Sequence, residues 1–113
     1  MTIIRYGSGP RMSQAVSHGG VVYLAGQVGN GATVSEQTAD CLANVDKWLA
    51  EAGTDKSRVL SVTVWLTDMA AFDEMNAVYD KWIDPENPPA RAAVESNLAM
   101  PKFLVEFMVT AAL

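Results

Sequence analysis

Val59-Leu60-Ser61-Val62-Thr63-Val64-Trp65-Leu66 is the stretch on which the fold turns. Its β-branched and aromatic side chains suit a pleated, packed surface, and apolar residues on both faces predict an interior strand. Just beyond it, Asp68 stands where a helix cap belongs, and Phe72, Met75, Tyr79 and Trp82 recur on one helical stripe. Pro85, Pro88 and Pro89 end that helix and form a rigid bridge to two closing strands, Arg91–Ser96 and Leu104–Ala111. Just before it lies another helix. Thr33 followed three residues later by Glu36 has the form of a capping box, Leu42, Val45, Leu49 and Ala52 keep helical spacing, and Gly53 occupies the C-cap position. At the start, Ile3–Tyr6 is a short strand broken by Gly7-Ser8-Gly9-Pro10. Ser13–Ser17 and Val21–Val28 then pair as hairpin arms around His18-Gly19-Gly20. Val21-Val22-Tyr23-Leu24-Ala25 reads as a buried strand, and Gly26-Gln27 ends that run with a residue lacking Cβ, which often marks close approach by a ligand or another backbone.

The predicted order is β-β-β-α-β-α-β-β, an α+β sandwich with two helices packed on one face of one sheet. No repeat, low-complexity tract or boundary divides residues 1–113, so we expect a single domain. Helices on one face leave the other sheet face bare. Half of the residues are hydrophobic, at the upper end for a soluble domain, and self-association into a closed ring would cover that face most simply.

Composition narrows the function classes. The formal net charge is −5, and the eight Lys and Arg residues are scattered without a run. This argues against nucleic acid as a partner, which calls for a basic stripe. A local basic pocket that attracts a small anion remains compatible with it. The single cysteine, Cys41, excludes an intramolecular disulfide and fits a reducing compartment. It falls in a helical pattern as a buried structural thiol. With one histidine, His18, and one cysteine, there is no inventory for a zinc site or a His/Cys triad. No long apolar run and no charged-then-apolar leader occurs, so we expect no membrane span, no secretory leader and a cytoplasmic location.

Two charges lie inside apolar, strand-like text: Arg91 in Pro89-Ala90-Arg91-Ala92-Ala93-Val94-Glu95, and Glu106 in Leu104-Val105-Glu106-Phe107-Met108-Val109. A charge in such a setting costs several kcal/mol unless it is paired or reaches a wet cleft. Arg91 follows a stiff proline approach, and its guanidinium offers a planar fork for a carboxylate. The alternative is an edge-strand arginine paired to a surface acid. Glu106 shares a mostly apolar face with Leu104 and Met108, where burial would tune it as a general base or acid. Its alternative is an ion pair at a subunit interface. Glu95 could partner Arg91, with solvent as the other destination. Asn76 has structural hydrogen bonding as its default role. Trp48, Trp65 and Trp82 sit in periodic segments and read as core or interface.

At these same residues the chain resembles the Rid family, also called YjgF or endoribonuclease L-PSP-like. The resemblance is carried by Arg11-Met12-Ser13-Gln14-Ala15-Val16, by Val22-Tyr23-Leu24-Ala25-Gly26-Gln27-Val28, by the Pro89–Glu95 and Leu104-Val105-Glu106 segments, and by the closing Thr110-Ala111-Ala112. It implies a chorismate-mutase-like fold, a homotrimer with a cleft at each subunit interface, and hydrolysis of 2-imino acids to 2-keto acids and ammonia without a cofactor or metal. Under it, Arg91 binds the carboxylate of a small carboxylate-bearing substrate and Glu106 positions water. The backbone of Ala93 contacts the substrate nitrogen, Ala25-Gly26 line the cleft, and Asn76 matches the family's helix asparagine. Met12 and Ala25 stand where the best-known deaminases carry a tyrosine and a serine, so two hydroxyls are lost. That departure leaves a non-catalytic carboxylate-binding trimer as one alternative, and the endoribonuclease activity of some relatives as another.

Overall fold

The computed structural model describes residues 1–113 as eight principal elements: β1 (Ile4–Tyr6), β2 (Ala15–His18), β3 (Val21–Leu24), α1 (Val34–Glu51), β4 (Val59–Leu66), α2 (Phe72–Trp82), β5 (Ala90–Glu95) and β6 (Val105–Ala112). The expected order is reproduced. All six strands form one sheet in the order β1-β2-β3-β6-β4-β5. Every pairing is antiparallel except β4 with β5, which are parallel and joined through α2. No helix is long and apolar enough to cross a membrane.

Both helices pack on one sheet face. Val62, Val64 and Leu66 of β4 and Val105, Phe107, Val109 and Ala111 of β6 point into that layer, against Leu42, Val45 and Leu49 of α1 and Met75 and Tyr79 of α2. Burying each of the larger apolar side chains contributes on the order of 1.5–3 kcal/mol. The alternate residues face the side the helices do not cover. Tyr23 of β3, Met108 of β6 and Val94 of β5 are 52%, 41% and 41% exposed there, and Trp65 of β4 is half-buried. β4 is therefore interior by position in the sheet, but its second face, where Ser61 and Thr63 flank Trp65 rather than the apolar residues expected, is open in the single chain.

Local chemistry explains the boundaries. Thr33 accepts a hydrogen bond from the Glu36 backbone N–H and donates its hydroxyl to the Glu36 carboxylate, closing the N-terminus of α1. At the other end, Gly53 takes φ +87°. The Gly53 N–H reaches Ala50 O at 3.0 Å and the Thr54 N–H reaches Leu49 O at 2.9 Å, a Schellman closure that only a residue without Cβ makes at little cost. Asp68 acts one step earlier than the sequence suggests. Its carboxylate caps a 3-10 turn, Met69–Ala71, through the Ala70 N–H at 2.9 Å, and α2 continues from that turn without a side-chain cap of its own.

The second hairpin arm also differs from expectation. β3 stops at Leu24, and the chain rejoins β6 at Gln27, which exchanges backbone bonds with Phe107 at 2.7 and 3.0 Å. Tyr23 stands opposite Thr110 and Gln27 opposite Phe107, so the Ala25-Gly26 side carries one residue more than its partner. That is a β-bulge. The buried Gln27 side chain holds it by donating to Gln14 Oε1 at 3.0 Å and to Ala25 O at 3.1 Å.

Loss of the α1 cap is the most local test of this architecture. Thr33→Ala is expected to lower stability by about 1 kcal/mol, read as a lower urea midpoint at unchanged denaturant slope.

Candidate functional site

Arg91 is the second residue of the edge strand β5, in register with Val62 of β4, so its side chain rises on the helix face. There it meets α2. Nη1 donates to Asn76 Oδ1 at 2.7 Å, and the guanidinium lies over the Tyr79 ring at 4.7 Å and the Phe72 ring at 5.8 Å. Phe72, Asn76 and Tyr79 stand at i, i+4 and i+7, one helical face. The arginine remains exposed, with the rest of its donor fork free for a carboxylate.

Ala93 is the next residue of β5 on the same face. The Ser96 N–H bonds to Leu66 O, and alternation along a strand then directs the N–H groups of Val94 and Ala92 toward β4. Those of Ala93 and Arg91 point away, along the free edge of the sheet. A small anion brought to that edge would find the guanidinium and a backbone donor side by side. A shallow depression of about 270 Å³ runs along this edge, lined by Ser61, Val62, Thr63, Ala90, Arg91 and Ala92.

Glu106 lies on the other face. It is in register with Trp65, and its side chain belongs to the layer the helices leave uncovered. Gly26 in the bulge sits against it so closely that a Cβ there would overlap the Glu106 carboxylate. Burial raises the Glu106 pKa above its ordinary 4.5, with no charge or hydrogen bond offsetting it. The group is thus half-desolvated and without a cation. Ala25 completes this region beside Gly26, half-buried.

The candidate residues therefore fall into two separated groups. Arg91, Asn76 and Ala93 form one at the helix-side edge; Glu106, Gly26 and Ala25 form the other on the open face. No cavity of the single chain is lined by both charged residues. The largest, about 440 Å³, lies among Thr67, Asn97, Leu98, Ala99, Met100, Pro101 and Phe103 and holds none of the six.

Other residues take defined places. Glu95 goes neither to Arg91 nor to solvent alone: Oε1 accepts from the Met69 N–H at 2.7 Å, tying β5 to the turn before α2. Cys41 is fully buried, and burial chiefly, then the charges of Asp40 and Glu106, pushes its thiol up to about 12, so it stays protonated and inert. His18 is exposed at the hairpin turn, and Met12 is exposed in the loop between β1 and β2. Sequence reasoning placed Phe72 and Tyr79 in the core stripe and missed the cradle they make for Arg91. The i, i+4, i+7 spacing around Asn76 was the available signal.

The comparisons with known proteins agree with one another. A family model described as Endoribonuclease L-PSP matches residues 6–113. A RutC family protein of Haemophilus ducreyi is 44% identical over 105 residues, covering 91% of this chain and 90% of that protein. The RutC family protein YoaB of Escherichia coli is 37% identical over 113 residues, with 99% of each covered. Among solved structures, a YjgF family protein from Neisseria meningitidis superposes with a TM-score of 0.98 at 48% identity, over 99% of this chain and 95% of that one.

The raised Glu106 pKa gives a direct test of the second group. Carbon-detected titration should place its midpoint above 4.5, and Gly26→Ala, which drives the carboxylate outward, should return it toward that value. The sign for stability follows: a raised folded-state pKa favours the fold below the unfolded value and loses that contribution as pH rises through the folded one. Glu106→Gln is accordingly expected to raise the melting temperature at pH 7 by a small margin and to leave it unchanged near pH 3.

Proposed function

Because this chain belongs to the Rid (YjgF) family, we propose that it hydrolyses 2-imino acids to 2-keto acids and ammonia in clefts between copies of itself. The observation that carries this reading is the division of the site. Arg91, most of its donors unpaired, shares a free sheet edge with the Ala93 N–H, and Glu106 is a half-buried carboxyl without a hydrogen-bond partner on the opposite face. Each is what the other lacks. A homotrimer would set the Arg91 edge of one copy against the Gly26–Glu106 face of the next and cover the apolar open face in the same step.

The chemistry asks little of the protein. The substrate carboxylate binds Arg91 through two parallel hydrogen bonds, and the Ala93 N–H helps fix the C=N group. Glu106 accepts a proton from water as the oxygen adds to C2 and passes it to nitrogen, giving the carbinolamine; it then takes the hydroxyl proton and delivers it to the nitrogen as the C–N bond breaks, leaving the keto group and ammonia. Imines already hydrolyse in water, so orientation and one carboxyl that shuttles a proton twice suffice. These steps use side chains and backbone alone.

A second reading has its own observation. Ala25 and the exposed Met12 bring no hydroxyl to the cleft, which favours a trimer that binds a small carboxylate without turning it over. Endoribonuclease activity, named in the family description, is weakened by the net charge of −5 and by the exposed, solitary His18.

Assay with 2-iminopropionate generated by an amino-acid oxidase separates these readings. We expect faster imine loss with the protein, no acceleration with Arg91→Ala, and a kcat about 10²-fold lower or worse with Glu106→Gln. If Glu106 acts as the base, the rate falls as pH drops through a midpoint above 4.5, since protonation removes the acceptor. Keto-acid binding without turnover would favour the second reading, and RNA cleavage at low salt that survives Arg91→Ala the third.

A further inference from the structure

We propose that Tyr79 is the positioning residue for the anion site: its ring face, rather than its hydroxyl, holds the Arg91 guanidinium in the plane that a carboxylate must meet. This rests on the carboxylate-binding role of Arg91 given above and adds a residue to it. A guanidinium on a flexible stem gains bidentate geometry only if its plane is held before the ligand arrives. A single hydrogen bond, Nη1 to Asn76 Oδ1, leaves the plane free to turn about that contact, and the Phe72 ring, 5.8 Å away, is the more distant of the two aromatic faces. The Tyr79 ring, 4.7 Å from the guanidinium carbon, removes that freedom.

The ring is itself immobilised. Tyr79 is 6% exposed and stacks on Phe107 with ring centroids 6.2 Å apart and planes 4° from parallel. Trp82 packs against it at 5.9 Å and 49°. Arg91, Tyr79 and Phe107 thus form a column from the surface to the central strand β6. Burial raises the Tyr79 phenol above its ordinary value although Arg91 opposes the shift. The hydroxyl stays protonated at neutral pH, so Tyr79 gives Arg91 a π face and not a counter-charge that would compete with the substrate.

The test uses the full chain and a stable 2-keto acid, 2-oxobutyrate, titrated calorimetrically, with imine hydrolysis in parallel. Tyr79→Phe keeps the ring and should bind within about 2-fold of the parent. Phenylalanine analogues of increasing fluorination at position 79 keep the shape while draining the ring face, and should weaken binding stepwise, roughly 3- to 20-fold at full fluorination. KM should rise with it while kcat holds, because the ring acts before chemistry. In an Arg91→Ala background the same series should have no effect on residual binding. Tyr79→Leu is less clean because it opens the core, and the fluorinated series stands in for it. Binding that ignores fluorination, or a kcat that falls instead of KM rising, would overturn the positioning role while leaving the proposed reaction intact. Absence of 2-oxobutyrate binding by the unmodified protein would overturn both.

Discussion

The antiparallel ladders that β6 makes on both of its edges are the constraint on which the rest depends. The last strand in the chain is the third from one end of the sheet, bonded to β3 on one side and to β4 on the other. Its inward residues Val105, Phe107, Val109 and Ala111 are all essentially fully buried. Without it, β1–β3 and β4–β5 share no ladder and meet only through α1, so the six-stranded sheet requires the final residues of the chain. Both groups of candidate residues hang on this insertion. Glu106 is part of the strand, the Gly26 bulge is pinned to it through Phe107, and the Arg91 cradle leans on the Phe107 ring.

The two charged residues are prepared in opposite ways. Arg91 is left exposed and given weak, directional partners: one amide oxygen and two aromatic faces. None of these neutralises it, so its charge is available to an anion. Glu106 is partly taken out of water and given no cation, and its proton affinity rises in consequence. A direct contact between them would have lowered the Glu106 pKa and occupied the guanidinium. Within one chain they lie on opposite sheet faces, and neither occupies the other.

Much of this was legible in the residues. The helix caps, the proline bridge, the β4 run and the order of elements follow from local rules, since each depends on side chains within a few positions of one another. The exceptional status of Arg91 and Glu106 was also legible, because charges in apolar strands need a compensating environment. The destination of Glu95 was not: it turns back to cap the Met69 turn, a partner 26 positions away and set by the β4–β5 register. Nor was the Ala25-Gly26 bulge, since it is defined by a count of residues against β6, which no local pattern contains.

By itself, the amino-acid sequence determined the secondary structure, the fold class and the identity of the residues that carry unusual charge, because those are consequences of periodicity, capping and side-chain chemistry. Only the tertiary structure decided that Arg91 and Glu106 face opposite ways, that Gly26 is the residue making room for the carboxylate, and that Tyr79 lies beneath the guanidinium. Those outcomes follow from strand register and from which helix lands over which strand, and register is fixed by pairings between segments far apart in the chain.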